Sequence, residues 1–173
     1  MPGTPLALDA SMAILLAKVD LLSLVVGRVE TWMTTAAFAE ATVKETDDAR
    51  AIRLLVETNA IRCADPRGDP RRIEEDFRLG AGEAATIAWA QEHGAVCGTD
   101  DGPAIRCCRV LGVRFTSATA LLAGLAEKVV VERELALEIL TRLERLGRYD
   151  ARIIEDVARK IRAGGREPRG EQP

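Results

Sequence analysis

Aromatic and imidazole side chains are scarce in this sequence: two Trp, one Tyr, three Phe and one His among 173 residues. A single histidine, His93, excludes metal sites built on several imidazoles and makes a histidine-based catalytic triad unexpected. It sits in Gln91-Glu92-His93-Gly94, the expected end of a helix, where a cation suits the helix dipole. The four cysteines, Cys63, Cys97, Cys107 and Cys108, form no C-x-x-C pair and have no histidine close by, so zinc is not expected. They read as reduced, mostly buried thiols. No stretch approaches the roughly 18 uninterrupted apolar residues that a membrane span needs, so no membrane partner is expected. The opening residues, MPGTPLALDAS, lack a basic segment and soon meet Asp9, unlike a secretory signal, which points to the cytoplasm. There is no excess of positive charge either. The 24 Lys and Arg stand against 27 Asp and Glu, a net charge of −3 that by itself predicts no polyanionic partner. Hydrolytic chemistry in such a chain would run on carboxylates.

What is present is an ordinary globular composition. With 47% hydrophobic and 29% charged residues, wholesale disorder is excluded, and the length suits one domain. The charge is uneven. From residue 140 onward, nine basic residues face six acidic ones, net +3, which leaves the rest at net −6. A mildly basic end on an acidic body permits nucleic-acid contact without demanding it.

Short apolar runs alternate with helical patterns along the chain. Residues 6–9 (LALD) read as a buried strand, and residues 10–26 as one or two helices. Residues 29–35 predict a brief edge strand and residues 36–44 a helix. Asp47 and Asp48 are expected to cap a helix through Glu57, with Ala51, Leu54, Leu55 and Thr58 on one face. Residues 61–64 predict a second core strand, followed by the turn-rich DPRGDPRR and a charged helix to Phe77. Gly80 and Gly82 precede an alanine-rich helix that Gly94 stops. Residues 95–99 predict a third core strand, 103–111 a helix and 113–116 a fourth strand. Three helical patterns close the chain, at about 118–127, 132–147 and 150–162. The alternation predicts an α/β protein, a three-layer α/β/α sandwich on a mainly parallel sheet. The expected organisation is a core over residues 1–127, a helical extension packed on it over 128–163, and a disordered tail over 164–173.

In parallel sheets, sites form at the carboxyl ends of strands, and acids recur there in this sequence. Asp9 ends the first strand, Asp100 and Asp101 follow the third core strand, and Glu83 enters the first turn of the helix before it. Glu40 lies on an otherwise apolar helix, where a carboxylate is costly to bury without a purpose. Each acid also has a structural reading. Asp9 suits a helix cap, Glu83 suits the helix dipole, and Asp100-Asp101-Gly102 is a common turn. Converging acids would raise one another's pKa values unless a divalent cation joined them, and Mg²⁺ and Mn²⁺ favour such hard oxygen ligands. Such ions activate water and clamp phosphodiester oxygens. The sequence Gly80-x-Gly82-x-x-Ala85 formally matches a dinucleotide-binding fingerprint. It follows the polar, helix-like RRIEEDFRL rather than a buried strand, which argues against that reading. A haloacid-type phosphotransfer site fails because position 11 is serine where a second aspartate is needed.

Asp9-Ala-Ser11, Leu16-Ala-Lys18, the helical Glu40, Leu79-Gly-Ala-Gly-Glu83-Ala-Ala, Thr99-Asp-Asp101 and Leu111-Gly-Val together resemble a PIN domain. The resemblance covers residues 6 to about 162. It implies a three-layer α/β/α nuclease that cleaves RNA with Mg²⁺ or Mn²⁺, in a family where many members are toxins of toxin–antitoxin pairs. RNA and an antitoxin protein are the implied partners. The implied acidic quartet, catalytic and metal-holding, is Asp9, Glu40, Glu83 and Asp101, with Asp100 as an auxiliary ligand. Ser11, Lys18 and Thr99 would support the ligands or meet the substrate, though Lys18 is equally a snorkelling helix residue. Two departures stand out. The third acid is glutamate where toxin-type members usually carry aspartate, and the C-terminal helices extend beyond the minimal toxins. Arg106, Arg109 and the basic residues of the last helices are expected to contact an RNA backbone without reading sequence. Apolar helices near Leu121–Leu125 and Leu135–Leu146 predict self-association as a homodimer. The contrasting expectation is a PIN-like scaffold that binds RNA or protein and cleaves nothing.

Overall fold

A computed structural model describes residues 3–163, and the tail expected over 164–173 lies outside the described residues. The described chain falls into two compact units divided between Ala118 and Thr119. The first unit is built on five parallel strands: β1 (Leu6–Leu8), β2 (Thr31–Met33), β3 (Ile61–Cys63), β4 (Val96–Gly98) and β5 (Phe115–Thr116). Their order is β3-β2-β1-β4-β5. The helices between them are α1 (Ala10–Lys18), α2 (Leu22–Val26), α3 (Thr35–Ala41), α4 (Asp47–Glu57), α5 (Arg71–Phe77), α6 (Ala81–His93) and α7 (Gly102–Leu111). The predicted α/β/α sandwich with a parallel sheet is the observed fold.

β1 is central, and all three of its residues are buried, as a strand covered on both faces requires. Side chains alternate across it. Ala7 and its register partner Cys97 join the core with Ile87, Trp89, Cys107 and Cys108 on one face. On the other face Leu6, Leu8 and Met12 crowd Gly98 so closely that a Cβ there would lie 2.7 Å from Leu8 Cδ2. α6 is buried over most of its surface, from Gly82 to Ala90, and packs against α3, α5, α7 and β1. Its alanines let those neighbours approach. Gly94 and Gly112 end α6 and α7 in the left-handed region, at φ of 61° and 69°, where glycine carries no Cβ penalty. The loop after β3 is tied down by carboxylates. Asp65 accepts hydrogen bonds from the Thr35 amide and hydroxyl at 2.8 and 2.7 Å, and Glu92 accepts from the Arg67 and Gly68 amides at 2.9 and 2.8 Å.

Three sequence expectations are corrected. β2 is interior, between β1 and β3, and β3 is the edge strand with only Ile61 buried. The run VETWMTT looked like an edge because polar residues flank it, but Thr31 and Met33 are both buried. Asp47 and Asp48 lie in the first turn of α4 after the N-cap Thr46, and the buried face carries Ala49 and Ile52, whereas Ala51 and Leu54 are exposed. Both stripes are apolar, and packing against α1 and β3 selects between them.

α8 (Ala118–Glu127) begins at the last residue of the first unit, and the second unit holds the rest of it with α9 (Arg133–Leu146) and α10 (Ala151–Ala163). α9 packs against α10. Their buried side chains are Ala136, Ile139, Leu140 and Leu143 on one helix and Val157, Ala158 and Ile161 on the other. Among the described residues no helix is long and apolar enough to cross a membrane.

Candidate active site

The strand order sets where a site can form. From β1 the chain builds outward through β2 and β3, then returns to β4 and β5 on the opposite side. The switch point therefore lies between β1 and β4, and in open parallel sheets ligands bind beyond the carboxyl ends of the strands at such a point. Asp9 directly follows β1, and Thr99, Asp100 and Asp101 directly follow β4. The two strand ends are joined by the Asp9 amide, which donates to the Gly98 carbonyl at 3.1 Å.

Each acid is held by a helix N-terminus. Asp9 caps α1, its Oδ1 accepting from the Met12 amide at 2.7 Å. Glu40, from the end of α3, accepts the Gly82 amide of α6 on Oε1 at 3.0 Å. Glu83 reaches back from the first turn of α6 to the Gly80 amide at 3.0 Å. Asp101 caps α7 through the Ala104 amide at 2.9 Å, and Asp100 accepts the Ala118 amide at 3.2 Å. The first amides of a helix are without intrahelical partners, and the dipole favours negative charge there. The structural reading of the acids as caps is therefore realised, and the same caps bring them toward one another.

The electrostatics record that proximity. Asp9 is buried, at 1% exposure, and its Oδ2 has no hydrogen-bond partner. Burial pushes its pKa up to about 7; the Thr99 hydroxyl and the Met12 amide pull against this, while the charges of Glu83 and Asp100 add to it. The Glu83 pKa is raised mainly by partial burial, opposed by the Gly80 amide, with the charges of Asp101 and Glu40 raising it further. Asp9 thus feels Glu83 and Asp100, and Glu83 feels Asp101 and Glu40. Cys97, below Asp9 on β4, is held as a neutral thiol, its pKa well above the ordinary value through contact with the Cys108 thiol and burial. Cys97 is therefore not a thiolate ligand at neutral pH.

The remaining predicted residues are distributed unevenly. Thr99 is fully buried, and its hydroxyl accepts the Asp101 amide at 3.2 Å, so it sits between Asp9 and Asp101. Ser11 is exposed in the first turn of α1. Lys18 is at the opposite end of that helix, about 13 Å from Asp9 at a rise of about 1.5 Å per residue, and lines a groove with Glu45, Asp47 and Asp48. It is not brought to the acids. Glu40 is exposed rather than buried, so burial cost is not what distinguishes it. Its backbone partner on another helix does. Arg106 is exposed on α7, and the Arg109 guanidinium lies over the Phe115 ring, 5.5 Å from its centre.

The donor set fits a hard divalent cation in kind. It consists of carboxylates, and one of them, Asp9, has a buried oxygen without a hydrogen-bond partner and feels the charges of Glu83 and Asp100. Among the described residues no three Asp, Glu, His or Cys groups stand close enough together to hold a metal ion as they are. Mutually repelling carboxylates held on separate helix ends are expected to splay in this way. Gly82 stood out in the sequence only within glycine motifs, without a role at the site, yet its amide meets Glu40. Its signal was a glycine at the second position of an alanine-rich helix, where alanine is the better helix former.

The sequence matches the family DUF3368, described as PIN domain, over residues 6–163. No curated protein matches it.

Proposed function

The chain belongs to the PIN-domain family, a nuclease-type fold, and from that premise we propose that it is an endoribonuclease dependent on Mg²⁺ or Mn²⁺. The observation that carries this reading is the buried Asp9, whose Oδ2 has no partner while Glu83 and Asp100 add negative charge around it. A buried anion among like charges is unfavourable unless a cation joins it. A divalent cation bound there would supply activation of water and neutralisation of charge on the scissile phosphodiester. Asp9, Glu40, Glu83 and Asp101 would hold it, with Asp100 as auxiliary.

The chain's own part is orientation and charge. Backbone amides fix one oxygen of each of the four carboxyl groups, so little side-chain freedom remains to be lost on binding. The Thr99 hydroxyl accepts the Asp101 amide and also acts on the Asp9 carboxyl, lowering its pKa, so it links Asp9 to the segment after β4. Asp9 must give up its proton to accept a cation, so affinity rises with pH through about 7. Arg106 and the basic residues of α10 would contact RNA phosphates without reading bases. As the toxin of a toxin–antitoxin pair acting in the cytoplasm, the protein would have a partner protein that covers the acids. Exposed Leu135 and Leu146 would serve a homodimer.

The test is cleavage of a labelled single-stranded RNA by the wild type, Asp9→Asn and Asp101→Asn, with Mn²⁺ and with EDTA. Cleavage that needs Mn²⁺ and is lost in both variants supports the reading. Intact RNA across several substrates and metals, beside a working control nuclease, refutes it. One observation favours a second reading, a scaffold that binds without cleaving: every acid already has a structural partner as a helix cap. RNA retention without cleavage, unaffected by Mn²⁺, would support that reading.

A further inference from the structure

Gly82 is the second residue of α6, inside a run of alanines, and it is buried. Its φ lies outside the left-handed region, so the backbone itself does not require glycine. Alanine would be the better helix former here. What requires glycine is the side chain lying on it. A Cβ at position 82 would be 2.5 Å from Glu40 Oε2, 2.8 Å from Glu40 Cδ and 3.0 Å from Glu40 Oε1. The same carboxylate accepts the Gly82 amide at 3.0 Å. Glu40 therefore rests on the bare Cα of α6, one residue from Glu83, whose pKa its charge helps to raise.

We propose that Gly82 is a positioning residue: its missing side chain forms the seat that holds the Glu40 carboxylate against the α6 N-terminus, in place to serve a divalent cation. The inference rests on the reading of Glu40 as a cation ligand given above. The colliding atoms belong to the far end of a flexible side chain, so a methyl group at position 82 displaces Glu40 and leaves the helix in place. Gly82→Ala thus separates fold from site. Stability should hold or rise, because alanine suits the helix, while cation affinity falls. A shorter carboxylate at position 40 leaves room for the methyl group, so Glu40→Asp should relieve part of the conflict.

The test uses the full chain freed of metal with EDTA, as wild type, Gly82→Ala, Glu40→Asp and the double variant. Mn²⁺ binding is measured by calorimetry, thermal unfolding in EDTA, and the metal-free Gly82→Ala protein by crystallography. Expected are a loss of Mn²⁺ affinity of about tenfold or more in Gly82→Ala, of the size seen when an orienting partner is lost, an unfolding midpoint at or above that of the wild type, and Glu40 moved off the Gly82 amide. In the Glu40→Asp background the same substitution should cost much less, since the two positions are coupled. Glu40 unmoved in the crystal, unchanged affinity in Gly82→Ala, or a lowered midpoint that accounts for the loss would each overturn the proposal. A wild type that binds no Mn²⁺ refutes the nuclease reading instead, and the crystal structure then still decides whether Gly82 seats Glu40.

Discussion

Asp9→Asn should make the metal-free protein more stable at alkaline pH. In the folded chain the Asp9 pKa is about 7, against 3.8 for the free side chain, so the folded state holds a proton that the unfolded state has lost between those values. Stability from this group is fully present below about 3.8 and is lost as pH rises through about 7. The difference of about three units corresponds to about 4 kcal/mol, undiminished by solvent because the group is buried. Asparagine keeps the cap on the Met12 amide, since Asn and Asp cap helices about equally well. It also carries no charge. Urea unfolding in EDTA at pH 5 and pH 8 should show the variant's advantage growing toward alkaline pH, up to about 4 kcal/mol or about 10 °C in Tm. Glu83 drifts in the same direction in both proteins and cancels in the comparison. An advantage that stays constant between pH 5 and pH 8, or a variant less stable at pH 8, would refute the reasoning.

Other substitutions test the packing and the caps. Gly98→Ala places a Cβ 2.7 Å from Leu8 Cδ2 and 3.0 Å from Met12 Sδ, so urea unfolding should show a loss of about 1–3 kcal/mol from overpacking. Ile52→Ala, at a fully buried position, should cost about 2–5 kcal/mol, whereas Leu54→Ala, at 59% exposure, should stay within about 0.5 kcal/mol. Asp101→Ala removes the α7 cap and should cost about 1 kcal/mol in EDTA, while Asp101→Asn keeps the cap and the stability but loses cation affinity. A thiol reagent should modify only Cys63 in the native protein and all four cysteines in denaturant. The Cys63 reaction should speed up with pH, because burial and Asp65 raise its pKa.

The layers of this fold were legible because strands and helices differ in length and in the spacing of their apolar residues. Asp9, Asp100, Asp101 and Glu83 were legible as site candidates because each follows a strand or opens a helix, positions that local sequence marks. The phase of α4 was not legible: Ala49 and Ile52 compete with Ala51 and Leu54 as apolar stripes, and a neighbouring helix makes the choice. The central place of β2 was hidden for a similar reason, since strand order depends on pairings between distant residues. The burial that singled out Glu40 as a candidate does not hold, since the residue is exposed. Its real distinction is a bond to Gly82, 42 positions along the chain. Lys18 stands near Asp9 in sequence, but α1 carries it to the helix end opposite the Asp9 cap, a separation that spacing along the chain does not show.

The most direct measurement of the central claim is calorimetric titration of the EDTA-treated, desalted protein with Mn²⁺ at pH 8, beside Asp9→Asn under the same conditions. Expected are saturable binding in the wild type, with little proton release because Asp9 is already mostly ionised at pH 8, and loss of that binding in the variant, which remains folded. Absence of binding in the wild type, or equal binding in the two proteins, would contradict it.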